Sequence, residues 1–339
     1  MDELKLYIKK VYGFSVQAIE ELSGGWLNRK YLIEDLIGNK FVFKIMSRKK
    51  VEKMSKNEYS NNYIEDKISE TLGIENFLNE NGVACPRVLK SKNDMLLEII
   101  NNEKCFMMEY FEGQSVDYVT STFEHLYQIG FELSKMHSLL NVFPYIPIQG
   151  RYLKLKNISE LEKDLSKRVI DARCSVSEKF KNEVSQHQAI VDFLKVNNII
   201  ERIPIALIHG DFAYDNILFG ENSMCVIDFE LLRENSPLQD IGRILLSLCL
   251  NEAGDLDLIK IESFLRGYNE NLLIGIDDVY KSFVVVWINE VNMWIKKNYF
   301  ENQITPKADR FLKEISWITH NWEFIVKNAK FLPDKNLKL

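Results

Sequence analysis

Cysteine is scarce and unpaired in this sequence. Five are scattered through 339 residues (Cys85, Cys105, Cys174, Cys225, Cys249), with no C-x-x-C pair. That pattern argues against a disulfide framework and a thiolate zinc site, and it points to reducing, cytoplasmic surroundings. Long apolar runs are also missing: none nears the roughly 18 uninterrupted residues of a membrane span. The opening MDELKLYIKK lacks the apolar block and small-residue cleavage site of a secretory leader. Proline and glycine are sparse (7 and 15) and never gather into a linker, and no repeat or low-complexity tract is present. Nor is there an excess of basic charge. The 43 Lys+Arg against 49 Asp+Glu leave −6, which argues against a dedicated nucleic-acid binder. The expected partners are therefore small molecules rather than nucleic acid or membrane, and the expected assembly is a monomer or weak dimer.

What is present is ordinary globular material, 46% hydrophobic and 27% charged, in a chain long enough for two lobes. Leu4, Tyr7, Ile8 and Val11 recur at helical spacing. Strand-like runs follow at 28–33 and 41–46, separated by a turn at Gly38-Asn39, then a polar helical segment over 56–79 that stops at Asn81-Gly82. Short strands are expected at 95–100 and 105–110. After Gly113 the character changes. Leu126, Ile129, Leu133 and Met136 mark a helix, 157–194 is charged and periodic, and from Leu238 to Val326 nearly every pattern is helical. The fold class expected is α+β, with a strand-rich first part (1–111) and a larger helix-rich remainder (112–339) interrupted by a hairpin around Gly220-Glu221-Asn222-Ser223.

The informative segment is IHGDFAYDNILFGENSMCVIDFE, Ile208 to Glu230. A buried strand delivers His209-Gly210-Asp211 into a loop, Asn216 follows five residues after Asp211, and a hairpin returns the chain to Asp228. One compact turn then carries two carboxylates and a carboxamide. Hard cations such as Mg²⁺ take oxygen ligands of this kind and leave their other positions to water and phosphate. With Asn216 and Asp228 on the metal, Asp211 is free to orient a substrate hydroxyl and accept its proton. Each piece alone is a common surface feature; the joint pattern is far more specific. Upstream, Lys44 sits in the apolar strand Phe41–Met46. A lysine there either snorkels from an edge strand or is buried and needs an anion.

The joint pattern resembles the aminoglycoside phosphotransferase and choline kinase-like family, which shares the bilobal protein-kinase fold with a small β-rich N-lobe and a larger helical C-lobe. The match runs through H-G-D-x4-N (His209, Gly210, Asp211, Asn216) and I-D-F (Ile227, Asp228, Phe229). Protein kinases carry H-R-D and D-F-G in these places, where this chain has Gly210 and Glu230. The short stretch from Glu230 to Asp240 also lacks the A-P-E-like end of an activation segment. The resemblance implies phosphoryl transfer from ATP or GTP, with Asp211 as base and Asn216 and Asp228 as Mg²⁺ ligands. It implies that Lys44 clamps the phosphates. Family spacing, counted back from the Gly82-Val83-Ala84-Cys85-Pro86 turn, makes Glu70 the lysine's helix partner, with Glu58 and Glu75 as competitors. LSGGWLNRKY (Leu22 to Tyr31) resembles the family's glycine loop and implies nucleotide contacts at Ser23, Gly24, Gly25 and Asn28. Adenine contacts are implied from Glu109 to Phe111, where the family links its lobes. Asp240 matches an aspartate that braces the catalytic loop, although an N-cap of the next helix is the plain alternative.

For the acceptor, Tyr214 and Asp215 inside the catalytic loop are candidates, with Glu230. Trp287 and Glu290 share a helical face with Trp294, and aromatics beside carboxylates suit a cationic, hydroxylated substrate; the alternative is that the tryptophans build a helical core. An aminoglycoside-type antibiotic is the leading acceptor, and choline, ethanolamine, sugars and amino alcohols stay open. A rival from another class is a non-catalytic scaffold that keeps the kinase fold.

Overall fold

A computed structural model describes residues 1–22, 28–47, 61–143, 163, 178–300 and 306–331. The chain divides into two compact units. The first comprises Met1–Ser115 with Asn216–Glu230, the second Val116–Asp215 with Leu231–Leu339. The division differs from a single break near residue 111, because the 216–230 hairpin groups with the first unit. Among the described residues no helix is long and apolar enough to cross a membrane.

The first unit is built on a six-stranded antiparallel sheet. Its strands are β1 (Val16–Glu21), β2 (Arg29–Asp35), β3 (Lys40–Ile45), β4 (Val88–Leu89), β5 (Glu98–Ile100) and β6 (Glu103–Glu109), and the order is β1-β2-β3-β6-β4 with β5 also on β6. Helix α1 (Asp2–Val11) and helix α2 (Asn61–Glu80) supply the apolar partners. Alternation along β3 and β6 sorts the side chains. Phe43, Ile45, Cys105 and Met107 join Leu4 and Ile8 of α1 on one face. Val42, Met46, Phe106 and Met108 join Ile68 and Leu72 of α2 on the other. Lys44, between Val42 and Met46, therefore belongs to the α2 face. The Asn76 side chain anchors α2 to β4 by accepting from the Val88 N–H (2.7 Å) and donating to its carbonyl (2.9 Å).

The hairpin of β8 (Ile217–Phe219) and β9 (Met224–Val226) attaches to this unit by main-chain bonds. Gln114 and Phe219 exchange both N–H···O bonds (3.0 and 2.9 Å), and the Val226 N–H donates to the Ala84 carbonyl at 2.7 Å. These pairings carry Asn216 and Asp228 into the strand-rich unit.

The second unit is helical: α3 (Phe123–Val142), α4 (Glu178–Val196), α5 (Pro237–Cys249), α6 (Leu258–Tyr268), α7 (Ile276–Phe300), α8 (Pro306–His320) and α9 (Trp322–Ala329), with a two-stranded ribbon of β7 (Ala206–Ile208) and β10 (Arg233–Asn235). Helix α5 is buried from Leu238 to Cys249. Helices α3 and α6 cross closely at Gly267, where a Cβ would stand 2.0 Å from the Tyr127 carbonyl oxygen. The expected α+β class, strands first and helices after, is the observed one.

Candidate active site

Strand β3 buries Lys44 to 4% exposure, and the hairpin supplies its counter-charges. Lys44 Nζ lies 3.5 Å from Asp228 Oδ1 and 3.5 Å from Glu230 Oε1. It also sits 5.7 Å from the centroid of the Phe106 ring. Burial alone would depress the lysine's pKa. The carboxylates of Asp228, Glu230 and Glu75 more than offset that and hold it above its ordinary value. Lys44 is thus a buried ammonium held by acids rather than an edge-strand lysine.

The expected helix partner, Glu70, is corrected by the structure. Glu70 is exposed, whereas Glu75 is 2% exposed and interacts electrostatically with Lys44. Helical phase explains the difference. Ile68, Leu72 and Glu75 fall at i, i+4 and i+7 on the face that meets the sheet, and Glu70 points away from that stripe. Burial pushes the Glu75 carboxyl up to about 8, Lys44 opposes the rise, and Asp228 and Glu230 add to it. Glu75 Oε1 is buried without a hydrogen-bond partner among the described residues. Glu58 lies outside the described residues, as do Ser23, Gly24 and Gly25 of the glycine loop.

Asn28, at the end of that loop, is described. Its amide donates to both Glu230 oxygens at 2.7 Å and its carbonyl oxygen accepts from the Ser47 N–H at 3.2 Å. Glu230, expected at the acceptor, is therefore placed between Asn28 and Lys44 in the strand-rich unit. Lys30, which the sequence reading passed over, reaches Asp228 Oδ2 at 4.0 Å. Its signal is register, since Lys30 stands directly opposite Lys44 in the β2–β3 ladder. Glu109 ends β6 with its N–H donated to the Arg87 carbonyl at 2.9 Å, and Phe111 follows half-buried.

Asn216 and Asp228 flank the open end of the β8–β9 hairpin. Ile217 pairs with Val226, and the Ile227 N–H donates to the Asn216 carbonyl at 2.9 Å. Asp228 has φ 71°, a left-handed conformation that Asp tolerates better than most residues. Among the described residues no cluster of three or more His, Cys, Asp or Glu side chains could hold a metal by itself. One carboxylate and one carboxamide nevertheless fit a hard divalent cation that keeps water and phosphate ligands.

In the second unit β7 leads into His209-Gly210-Asp211. Asp240, fully buried, accepts from the His209 N–H (2.9 Å) and the Gly210 N–H (3.0 Å), and it pairs with His137 Nε2 at 3.2 Å. The N-cap of α5 is Ser236, not Asp240; Asp240 ties down the loop. Gly210 has φ +82°, and a Cβ there would stand 2.3 Å from the Leu231 carbonyl oxygen. No side chain fits, so the arginine of H-R-D is excluded at this position. The Asp211 N–H donates to His209 Nδ1 at 3.3 Å. Tyr214 begins a short 3-10 turn through Asp215 to Asn216, and its ring lies 5.2 Å from the Arg310 guanidinium.

Comparisons with known proteins bear on the family and the fold. Residues 18–271 match the model of the phosphotransferase enzyme family. The chain belongs to that family. Homoserine kinases from Methylobacillus flagellatus and Rhizobium meliloti are both 24% identical to it over 204 and 198 residues. Each alignment covers 58% of this chain and only 58% and 57% of those relatives. Among solved structures, an amicoumacin kinase in complex with AMP-PNP, Ca2+ and Ami superimposes with a TM-score of 0.66 at 12% identity, covering 95% of this chain and 93% of that one. A choline/ethanolamine kinase family protein from Mesorhizobium loti gives 0.61 at 15%, covering 98% and 99%. At such identities the structures show the fold alone.

Of the two helical residues expected at the acceptor, Trp287 belongs to the core and Glu290 is half-buried. Trp287 is fully buried, donates to Thr319 Oγ1 at 3.0 Å, and packs against His187 and Trp322. Glu290 accepts from Gln239 (2.7 Å), Arg243 (2.9 Å) and Trp294 (2.9 Å). Both are occupied in holding α7 against its neighbours. Aromatics and acids at helical spacing look the same in a core as in a binding face, and here the core took the tryptophan.

Proposed function

We propose that the chain transfers the γ-phosphoryl group of ATP or GTP to a hydroxyl of a small acceptor. The observation that carries the reading is the buried Lys44 with Asp228 and Glu230 each at 3.5 Å, one hairpin away from Asn216. Lys44 holds phosphate oxygens, with Glu75 as the helix carboxylate behind it. Asn28 and the Ser23-Gly24-Gly25 loop contact the nucleotide, and the segment from Glu109 to Phe111 meets the base. Asn216 and Asp228 hold Mg²⁺, which when bound supplies positive charge to screen the transferring phosphoryl group. Asp211 orients the acceptor hydroxyl and accepts its proton, held in place through the loop that Asp240 fixes. Tyr214 and Asp215 are the acceptor candidates that lie in that loop. Catalysis of this kind is mostly positioning and electrostatics.

For the acceptor, an amino alcohol is now the favoured class. Of the face that suggested an aminoglycoside, Trp287 is buried in the core and half-buried Glu290 is bonded to Gln239, Arg243 and Trp294, and relatives at 24% identity are homoserine kinases. The test is nucleoside diphosphate release from ATP and GTP with Mg²⁺ over a panel of homoserine, choline, ethanolamine, amino sugars and aminoglycosides, with Asp211→Asn and Asp228→Ala alongside. Acceptor-dependent release that falls at least ~100-fold in both variants is expected, the scale of a lost general base. A variant that keeps a third of wild-type turnover refutes its assignment. Nucleotide binding without turnover on any hydroxyl compound supports the scaffold reading instead.

A further inference from the structure

Helices α5 and α8 of the second unit carry two arginines that share the buried Glu314. Arg243, 3% exposed, donates from Nη1 to Glu290 at 2.9 Å and from Nη2 to Glu314 Oε2 at 2.7 Å. Its guanidinium lies over the Phe311 ring, 4.6 Å from the centroid. That charge is met by two carboxylates and shut off from solvent. Arg310 is held differently. Its Nε donates to Glu314 Oε1 at 3.1 Å and its Nη2 to the Ser247 carbonyl. These bonds use the flank of the guanidinium. Among the described residues Nη1 makes no hydrogen bond, and the side chain is 27% exposed, so the end of the fork is open. The same guanidinium lies 5.2 Å from the centroid of the Tyr214 ring, and Tyr214 follows Asp211 by three residues in the H-G-D loop. Asp117 feels the Arg310 charge, but its Oδ1 accepts from the N–H groups of its own turn, those of Val119 and Thr120.

Resting on the phosphotransferase reading, we propose that Arg310 is a specificity-determining residue that binds a carboxylate of the acceptor, which makes the acceptor a hydroxy amino acid. Glu314 already has Arg243 at 2.7 Å, so neutralising that carboxylate does not account for a second arginine set against the loop. Nor is Arg310 a loose surface residue, because Glu314 and the Ser247 carbonyl fix its plane. A planar guanidinium so fixed, with donors left at its end, matches the two oxygens of a carboxylate. The loop itself carries Asp211 and Asp215, whose charges would repel an acidic acceptor. A cation beside Tyr214 offsets that repulsion and turns it into a means of orientation. The carboxylate is drawn to Arg310, which leaves the hydroxyl for Asp211.

Matched acceptor pairs test the proposal: homoserine with 3-aminopropanol, serine with ethanolamine, threonine with 1-amino-2-propanol. Each amine is its amino acid without the carboxylate. Diphosphate release with ATP and Mg²⁺ is followed in the wild type, Arg310→Gln and Arg310→Lys. The wild type is expected to prefer the acid in at least one pair. Arg310→Gln should lower kcat/KM for that acid about 20-fold, the effect of a charge-assisted contact, and leave its amine within about threefold. Arg310→Lys keeps the charge and loses the fork, so the acid falls about fivefold. The acid-to-amine ratio within one preparation cancels any loss of folded protein. A wild type that prefers the amine of every pair, or turns over only acceptors outside the pairs, overturns this inference alone. So does an acid preference that survives in Arg310→Gln, or an equal loss for acid and amine, which would make Arg310 a support of the loop. A wild type that releases no diphosphate with any hydroxyl compound overturns the phosphotransferase reading and this inference with it.

Discussion

Removing the Asp240 carboxylate isolates what holds the H-G-D loop. Asp240→Ala deletes three interactions at once: those to the main-chain N–H groups of His209 and Gly210 and that to His137. Hydrogen bonds to a charged acceptor contribute about 1.5–3 kcal/mol each, and a buried donor left unsatisfied costs about 1–3 kcal/mol. His209 and Asp240 are both fully buried, so water cannot readily take the vacated place. A net destabilisation of about 3–5 kcal/mol is expected, by analogy with breaking a buried polar cluster. At about 2–4 °C per kcal/mol for a unit of this size, the melting temperature falls by roughly 10 °C. Asp240→Asn keeps the shape but offers one good acceptor instead of two, and roughly half the loss is expected. Thermal and urea unfolding measure this directly. The activity readout separates a local role from a global one. On the proposed reading the loop carries the base Asp211 but not the phosphate-binding Lys44, so turnover should drop about 100-fold, the cost of misplacing a reacting group by about 1 Å, while the nucleotide Kd stays put. A melting point within about 2 °C of wild type, or full turnover in Asp240→Ala, would refute the reasoning.

Two further outcomes follow from single residues. Glu75 is buried with its carboxyl pushed up to about 8, so the folded state binds a proton that the unfolded state releases near pH 4.5, and stability declines as pH rises between those values. Glu75→Gln removes that dependence: in urea titrations without nucleotide it should gain on wild type by up to about 1.4 kcal/mol per pH unit between pH 5 and 7.5, and parallel pH profiles would contradict the assignment. Gly210→Ala places a Cβ against the Leu231 carbonyl at a positive φ and should cost at least about 2 kcal/mol; an unchanged urea midpoint would mean that the loop relaxes freely.

Lys44 was legible in the sequence because a lone lysine in an apolar β run is a local anomaly, and strand alternation assigns it a face. Glu75 was not singled out because the count ran from the Gly82–Pro86 turn, which yields a sequence distance, whereas helix phase decides which carboxylate meets the sheet. The stripe Ile68–Leu72–Glu75 carries that phase and was readable. Other features have no local signal. The pairing of Gln114 with Phe219 draws the hairpin into the first unit across about a hundred residues of intervening chain, and with it Glu230 leaves the acceptor candidates for the lysines. Trp287 and Glu290 show the converse limit. Their spacing fits a ligand face and a packed face equally, and only the contacts of α7 with Thr319, Gln239 and Arg243 decide.

The two units hold their key residues by different physics, and the difference suits what the proposed function asks of each. Lys30, Lys44, Asp228 and Glu230 form a cluster of charges in which contacts of 3.5–4.0 Å are long for tight ion pairs. Such a cluster can give up one partner and accept another, as binding a metal and a polyphosphate requires. The H-G-D loop is held instead by main-chain N–H groups on one buried carboxylate at 2.9–3.0 Å and by a glycine conformation that admits no side chain. These constraints cannot be exchanged for ligand contacts. A base that must meet a hydroxyl at one distance gains from that rigidity, whereas a phosphate clamp gains from loosely matched charges.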